Sequence, residues 1–345
     1  MAVAQSAAAQ RLRVSTNETF LVLGSNSFSG ASFVDHLLNE GALVIGVSRS
    51  PEPHRAFLPY RWSGRDKKFR FFQLDLNRDL DAICDLVASE KPPYIVNFAA
   101  QSMVAESWQH PEHWFQTNVV STIRLHDRLR RFDFLKKYVH VSTPEVYGST
   151  SGTVREDAPF NPSTPYAVSR AAADMSLATF FSAYNFPVVF TRAANVYGPG
   201  QQLYRIIPRT ILAVRLGTKL KLEGGGVSER SFIHIRDVAD ATLKSAEIGR
   251  PGEAYHIATD RMVSIRDLVA MICARLGARF EDYVELTAER RGKDSAYRLD
   301  TGKIRNELGW RDRISLEEGI DDTIAWADRF LTELKQQPMQ YVHKP

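Results

Sequence analysis

Phe20-Leu21-Val22-Leu23-Gly24-Ser25-Asn26-Ser27-Phe28-Ser29-Gly30 is a short apolar run that empties into a turn containing two glycines. Ala31 to Leu38 follows with the spacing of an amphipathic helix, and Leu43 to Val47 is the next apolar run. Strand, glycine turn, helix and strand within about 30 residues is the context that makes a dinucleotide-binding turn credible. Glycine lets backbone N–H groups approach a pyrophosphate, and the helix N-terminus adds partial positive charge. The alternative is an ordinary strand-to-helix connection, so the rest of the chain has to decide.

Outward from this unit the alternation continues. Arg70 to Leu74 reads as a third strand, ending at Asp75-Leu76, and Leu80 to Ser89 as a helix. Tyr94 to Phe98 is a fourth strand, running into Ala99-Ala100-Gln101-Ser102. A long helical region from Pro111 to Arg131 contains Asn118; then come a strand at Tyr138 to Val141, a helix from Tyr166 to Tyr184 and a strand at Val188 to Arg192. This rhythm predicts an α/β fold, a Rossmann-type doubly wound parallel sheet with right-handed crossovers and ligands at the C-terminal strand ends. After Gly200 the rhythm changes. One helix, the cluster Gly224-Gly225-Gly226, strands at Ser231 to Ile235 and Ala254 to Ile257, and a mostly helical remainder predict a smaller lobe covering the ligand edge. We therefore expect a disordered tail at 1–16, a dinucleotide-binding domain at 17–195 with 228–258 returning to it, and a second lobe over most of 196–345.

The bulk properties exclude several classes. At 345 residues the chain is one large domain or two coupled ones. A formal net charge of +4, with both signs mixed along the chain, argues against nucleic-acid binding. There is no apolar run of about 18 residues to span a membrane, and residues 1–16 lack the apolar core of a signal peptide. Cys84 and Cys273 sit in apolar helical patterns and suit a reducing cytoplasm. The nine histidines show no spacing such as His-x-x-x-His, so no metal site is expected.

The chemistry gathers at Val141-Ser142-Thr143-Pro144-Glu145-Val146-Tyr147-Gly148 and at Tyr166 and Arg170. Thr143 and Glu145 are two apart, so an extended chain points them to one side. Tyr166 and Arg170 are four apart after Pro165, so they share a helical face. A hydroxyl donor, a carboxylate base, an ionisable phenol and a cation that lowers its pKa suit hydride and proton movement at an alcohol carbon. Glu145 alone could instead hold a backbone amide. Tyr147, Tyr197, Asn118 and His234 read as structural, and Trp108 to Phe115 as core or dimer surface.

With these pieces placed, the chain resembles the extended short-chain dehydrogenase/reductase family, nucleotide-sugar 4,6-dehydratase type, from about residue 18 to 325. The motifs that carry the resemblance are the glycine turn, Asp75-Leu76, Asn97 to Ser102, Ser142 to Gly148, Tyr166 to Arg170, Arg192 to Gln201, Glu229 to Phe232, Arg291 to Asp294 and Leu308 to Trp310. The resemblance implies that Gly24, Ser27, Phe28, Ser29 and Gly30 hold a cofactor pyrophosphate. It implies that Asp75 and Leu76 border the adenine, and that Ala99, Ala100, Tyr166 and Arg170 face the cofactor. Tyr166 would take the sugar 4-hydroxyl proton, Thr143 would bond the same oxygen, and Glu145 would remove the C5 proton. Asn195, Arg230 and Arg291, with Gln101 and Ser102, would bind a nucleotide-diphosphate sugar. Related enzymes pair through the helices flanking the site, which implies a homodimer or homotetramer.

Three positions depart from that pattern. Arg170 stands where the family has lysine; it keeps the charge on a planar head, so either the push on Tyr166 survives with altered ribose geometry or the tyrosine is poorly activated. Pro144 stands where glucose-type enzymes carry an aspartic acid, so the leaving 6-hydroxyl must be protonated by Glu145 or water. Ser27 stands at the middle glycine of the turn, where a Cβ can crowd the pyrophosphate. The second strand ends Val47-Ser48-Arg49-Ser50 without a carboxylate for the ribose; Ser48 and Arg49 facing a 2′-phosphate favour NADP, with NAD the alternative. Competing readings are a 4-epimerase or sugar-acid decarboxylase on the same fold, and a cofactor-binding protein without turnover.

Overall fold

Phe20, Leu21 and Val22 of β1 (Thr19–Leu23) are wholly buried, which is why this strand carries apolar side chains on both faces. The computed structural model describes residues 18–62, 64–150, 152–287 and 298–344. After β1 the chain makes α1 (Phe28–Asn39), β2 (Leu43–Ser48), β3 (Phe69–Gln73), α2 (Leu80–Glu90) and β4 (Tyr94–Asn97). Next come α3 (Pro111–Phe115), α4 (Thr122–Leu129), β5 (Lys137–Val141), the short β6 (Thr153–Val154), α5 (Pro165–Tyr184), β7 (Val188–Ala193) and β8 (Asn195–Tyr197). The remainder is α6 (Ile206–Leu216), β9 (Leu220–Glu223), β10 (Glu229–His234), α7 (Ile235–Ile248), β11 (Ala254–Ile257), β12 (Met262–Ser264), α8 (Ile265–Arg275) and α9 (Phe280–Tyr283). Then follow β13 (Val284–Thr287), β14 (Arg298–Leu299), α10 (Gly302–Glu307), α11 (Leu316–Arg329) and α12 (Leu331–Leu334).

The main sheet has the order β11-β7-β5-β4-β1-β2-β3, and every pair is parallel. The chain winds outward from β1 to β3, then crosses back so that β4 lies on the other side of β1. That reversal opens a crevice beyond the carboxyl ends of β1 and β4, where doubly wound sheets bind ligands. The chain leaves the sheet after residue 193 and returns to it: α7 packs on α1, and β11 pairs with β7. Beyond the sheet, β8 and β12 flank β10, and β9 pairs with β13. Trp310 is fully buried and its indole N–H donates to the Asp237 carbonyl at 3.0 Å, tying the C-terminal part to α7.

The expected long helical region is present but not uniform. Residues 111–131 are not a single α-helix: α3 gives way to a π-helical segment, Gln116–Ser121, before α4 begins. The reason lies in Asn118, which is completely buried. Its Oδ1 accepts from the Gln101 N–H at 2.8 Å, and its amide donates to the Gln101 carbonyl and to the Ser169 hydroxyl. Asn118 thus clamps the chain after β4 to α5, and the helix widens locally around it.

The turn after β1 is set by close packing. Gly24 has a φ of +77°, and a Cβ on it would lie 2.7 Å from the Ala99 amide nitrogen. A Cβ on Gly30 would lie 2.2 Å from the Gly24 carbonyl oxygen. Gly30→Ala should therefore push α1 off β1 and lower stability by about 1–3 kcal/mol. A urea midpoint unchanged from the parent protein would show that the turn tolerates the methyl group.

Candidate active site

Two cavities meet at the carboxyl edge of the sheet. The first, about 610 Å³, is lined by Gly24, Asn26, Ser27 and Phe28, by Ser48 and Arg49 after β2, by Asp75 and Leu76 after β3, and by Ala99, Ala100 and Gln101 after β4. The second, about 710 Å³, holds Thr143, Glu145, Tyr166 and Arg170 together with Asn195 and Arg230. Ser27, Phe28, Phe98 and Ala100 border both. The two cavities therefore adjoin along the turn after β1, the chain after β4, and Gln202 and Tyr204, which also border both.

Local structure explains how the four chemical side chains converge. β5 stops at Val141, and Thr143 is not part of an extended run with Glu145. Thr143 caps a single 3₁₀ turn, Pro144–Tyr147, its hydroxyl accepting from the Glu145 N–H at 3.3 Å. Proline fits the first position of that turn because no N–H is needed there. The shared orientation of Thr143 and Glu145 holds, through a turn and not through strand alternation. On α5, Thr164 caps the helix by accepting from Ala167 N–H, Pro165 opens it, and Tyr166 and Arg170 fall one turn apart on the face toward β5. The Tyr166 phenol makes a side-chain hydrogen bond with Thr143.

The electrostatics of the pair differ from the expected push toward phenolate. Burial, and next the Glu145 carboxylate, raise the Tyr166 phenol above the ordinary tyrosine value; Arg170, Thr143 and Arg205 pull the other way without overcoming them. Arg170 is itself buried, at 2 % exposure. Its Nη2 donates to the Val141 carbonyl and, at 3.2 Å, to His140 Nε2. His140 can accept because burial, and then Arg170, hold its imidazole far below the ordinary histidine value and so neutral. Beneath it, Asp174 accepts from Ser142 Oγ at 2.7 Å and from Arg192 Nη2 at 2.9 Å. The guanidinium at 170 is thus pinned to the end of β5 by a planar head that lysine does not have.

The other sequence candidates fall as follows. Ser27 lines both cavities and is the N-cap of α1, its hydroxyl accepting from Gly30 N–H and donating to the Gly24 carbonyl at 2.7 Å. Gly30 lines neither cavity and serves helix packing against Gly24. Ser29 and Ser102 line the second cavity. Gln101, read as a substrate contact, lies instead on the first cavity, 2 % exposed, its amide donating to the Lys344 carbonyl. Arg291 lies outside the described residues. Tyr147 and Tyr197 are core residues, and His234 caps α7 through Nδ1, as their structural readings anticipate. Sequence reasoning missed Arg205, Arg209 and Lys221, which join Arg230 on the second cavity. The signal was available at Arg205 and Arg209, one helical turn apart at the start of α6. Among the described residues His110, Glu112 and His113 also bring ligand-type atoms within 4.8 Å of one another, an arrangement that a search for His-x-x-x-His does not find.

A glycine turn at the switch point of a parallel sheet, next to a Thr, Tyr and cation set, defines a nicotinamide-dinucleotide enzyme of the extended short-chain dehydrogenase/reductase class. The chain belongs to the GDP-mannose 4,6 dehydratase family, whose model matches residues 21–323. It is 30% identical over 328 residues to the dTDP-glucose 4,6-dehydratase of Xanthomonas campestris pv. campestris (strain ATCC 33913), covering 89% of this chain and 92% of the relative. It is 33% identical over 314 residues to that of Streptomyces antibioticus, covering 89% and 91%. Among solved structures it is similar to the dTDP-glucose 4,6-dehydratase DesIV of Streptomyces venezuelae with NAD and TYD bound, with a TM-score of 0.83 and 32% identity over 90% of this chain and 97% of that one.

The site makes a signed expectation. Tyrosine ionisation followed by ultraviolet difference titration against Tyr166→Phe should shift to lower pH in Glu145→Gln, which removes a neighbouring negative charge. It should shift to higher pH in Arg170→Met, which removes a positive one. Coincident curves in the three proteins would show that neither charge reaches the phenol.

Proposed function

We propose that this protein is a nucleotide-sugar 4,6-dehydratase that holds NAD through the whole reaction. The observation that carries the reading is one cavity holding a phenol, a hydroxyl and a separate carboxylate base, with Arg205, Arg209, Lys221 and Arg230 on its wall. The first cavity fits a dinucleotide. It has the size of small-molecule sites, about 300–1,000 Å³, and Asn26 Oδ1 and Asn77 Oδ1, on residues of its lining, are buried without a protein partner. Gly24, Ser27, Phe28, Asp75, Leu76, Ala99 and Ala100 would hold the group, and when bound it accepts a hydride from the sugar C4 and returns it at C6.

The residues of the chain do the rest. Tyr166, oriented by Thr143, takes the proton of the 4-hydroxyl. Once C4 is a ketone the C5 proton is acidic, and Glu145 removes it. The C6 hydroxyl then leaves as water, and Pro144 offers no acid, so the proton comes from Glu145, which has just gained one, or from solvent. The cations of the second cavity, with Asn195, bind the diphosphate, a use suited to guanidinium forks. Glu145 separates this reading from a 4-epimerase, which needs no base at C5; the fold alone does not, since the UDP-glucose 4-epimerase of Thermotoga maritima superposes with a TM-score of 0.82 at 25% identity.

NAD is preferred to the NADP expected from Ser48 and Arg49. Ser48 Oγ accepts the Asn26 N–H at 3.0 Å, so this serine fastens the glycine turn. The DesIV structure contains NAD, as does that of the Bacillus anthracis dTDP-glucose 4,6-dehydratase. The relatives at 30–33% identity put a thymidine-diphosphate hexose first among substrates. Cys84 and Cys273 are free and buried, which favours a reducing cytoplasm, and among the described residues no helix is long and apolar enough to cross a membrane. We further infer that a second copy covers the adjoining helices α3 and α5, where Phe115, Val168 and Met175 are exposed.

Mass spectrometry of the protein with a panel of nucleotide sugars should show one substrate losing one water and, in heavy water, gaining a deuteron at C5. Tyr166→Phe should slow this by about 10²–10⁴-fold, and chromatography of the denatured holoenzyme should release NAD. Loss of carbon dioxide or an unchanged mass would move the protein to the decarboxylases or epimerases. Sedimentation should give twice the chain mass, falling to one chain mass in Val168→Glu/Met175→Glu; a monomeric parent would refute the pairing.

A further inference from the structure

The stretch after α12 has no role in the chemistry above, yet it is fastened at several points around the first cavity. Gln337, Pro338, Gln340, Tyr341, Val342 and Lys344 all line that cavity. The Lys344 carbonyl accepts from Gln101 Nε2 at 2.7 Å, beyond the end of β4, and its Nζ donates to Ser50 Oγ at 3.3 Å, beyond the end of β2. The segment therefore passes from one side of the β1 crevice to the other. It does not fill the crevice, because the space of about 610 Å³ remains beneath it. On the opposite side Tyr341 sets its ring edge-on to Tyr204, and Met339 packs against the core of the second lobe.

The tightest fastening is His343. Its Nε2 lies 2.8 Å from His113 Nδ1, and its ring stacks on Trp114 at 5.1 Å and 8°. It stacks also on His113 at 5.1 Å and on His110 at 5.8 Å. Trp114 is fully buried, so this platform is part of the rigid body of the sheet domain.

We propose that residues 335–344 are a strap that completes the dinucleotide site and slows cofactor release, with His343 as its latch. The proposal rests on the reading that the first cavity holds NAD. A reaction that takes a hydride and gives the same hydride back needs its dinucleotide to stay through both steps. A strap that closes over an empty space and ties β2, β4 and α3 together supplies that retention by making departure conditional on unlatching. The burial of Gln101 follows from this: its amide is spent on the strap and so serves cofactor enclosure.

The test is the rate of NADH release from the full chain, followed by stopped-flow loss of bound-NADH fluorescence on chasing with excess NAD. Three further proteins are compared: His343→Ala, His343→Phe and a chain ending at residue 334. Release should be at least tenfold faster in His343→Ala and in the shortened chain, with thymidine diphosphate affinity at the second cavity unchanged. Release from His343→Phe, which keeps the stacking ring, should be slower than from His343→Ala. Equal release rates in the parent and His343→Ala would overturn the latch. Slower release or tighter binding in the shortened chain would make the segment an obstruction and overturn the strap. A folded parent that binds thymidine diphosphate but no NADH would instead refute the dinucleotide reading of the cavity, and the strap with it.

Discussion

The carbonyl oxygen of Gly24 is the point to which the rest of the site is referred. It accepts from the Ser27 amide at 2.9 Å and from the Ser27 hydroxyl at 2.7 Å, and it lies where a side chain on Gly30 would have to stand. Gly24 in turn is pressed against the backbone of Ala99. Three chain segments that leave β1, enter α1 and leave β4 are therefore held within van der Waals contact. The crevice has its width because these backbones have no side chains between them. Ser27 and Phe28 of this turn, with Phe98 and Ala100 after β4, are part of the wall shared by the two cavities, so the spacing between cofactor and sugar is set in part by packing that neither ligand provides.

Behind the reacting groups lies a second constraint, a buried polar chain. Arg170 leans on His140 and Val141, Asp174 holds Ser142 and Arg192, and Tyr147 meets His256 Nε2 at 2.8 Å. Breaking a buried pair such as Asp174–Arg192 by removing one partner costs about 3–5 kcal/mol, because the other charge is stranded. The network ties the C-terminal ends of β5 and β7 to α5. It makes the arginine at 170 a part of the scaffold as well as a charge near Tyr166, which accounts for a planar, multiply bonded head in that place.

Much of this was legible in the sequence because it is local. The turn at Gly24, the alternation of strands and helices, and the i, i+4 pairing of Tyr166 with Arg170 all follow from short-range patterns. The π-segment was not legible, because its cause is a contact between Asn118 and two distant partners, Gln101 and Ser169. The direction of the Tyr166 shift needed the degree of burial, which no spacing reports. The same holds for Lys221, which reaches the second cavity from an edge strand, and for Gln101, whose partner is 243 residues away. The capping role of Ser27 was not read from its place in the glycine motif, although serine is a better helix cap than glycine, and the capping hydrogen bonds turn the hydroxyl back on its own turn.

The sheet closes late. β4 pairs with β1 across the excursion to β3, and β7 gains its outer neighbour only when β11 arrives. α1, the helix of the glycine turn, packs against α7. A chain emerging from the ribosome therefore leaves the α7-facing side of α1 uncovered until α7 is made, and β7 without its outer neighbour until residue 257 has been made. Domains usually fold as units during synthesis, but this one cannot finish when its first 195 residues are out. The interleaving that brings the second cavity's residues over the crevice thus has a biosynthetic consequence: the nascent sheet, six of its seven strands made, waits through some sixty further residues for its last strand, and a fragment ending at β7 lacks that strand and α7 permanently.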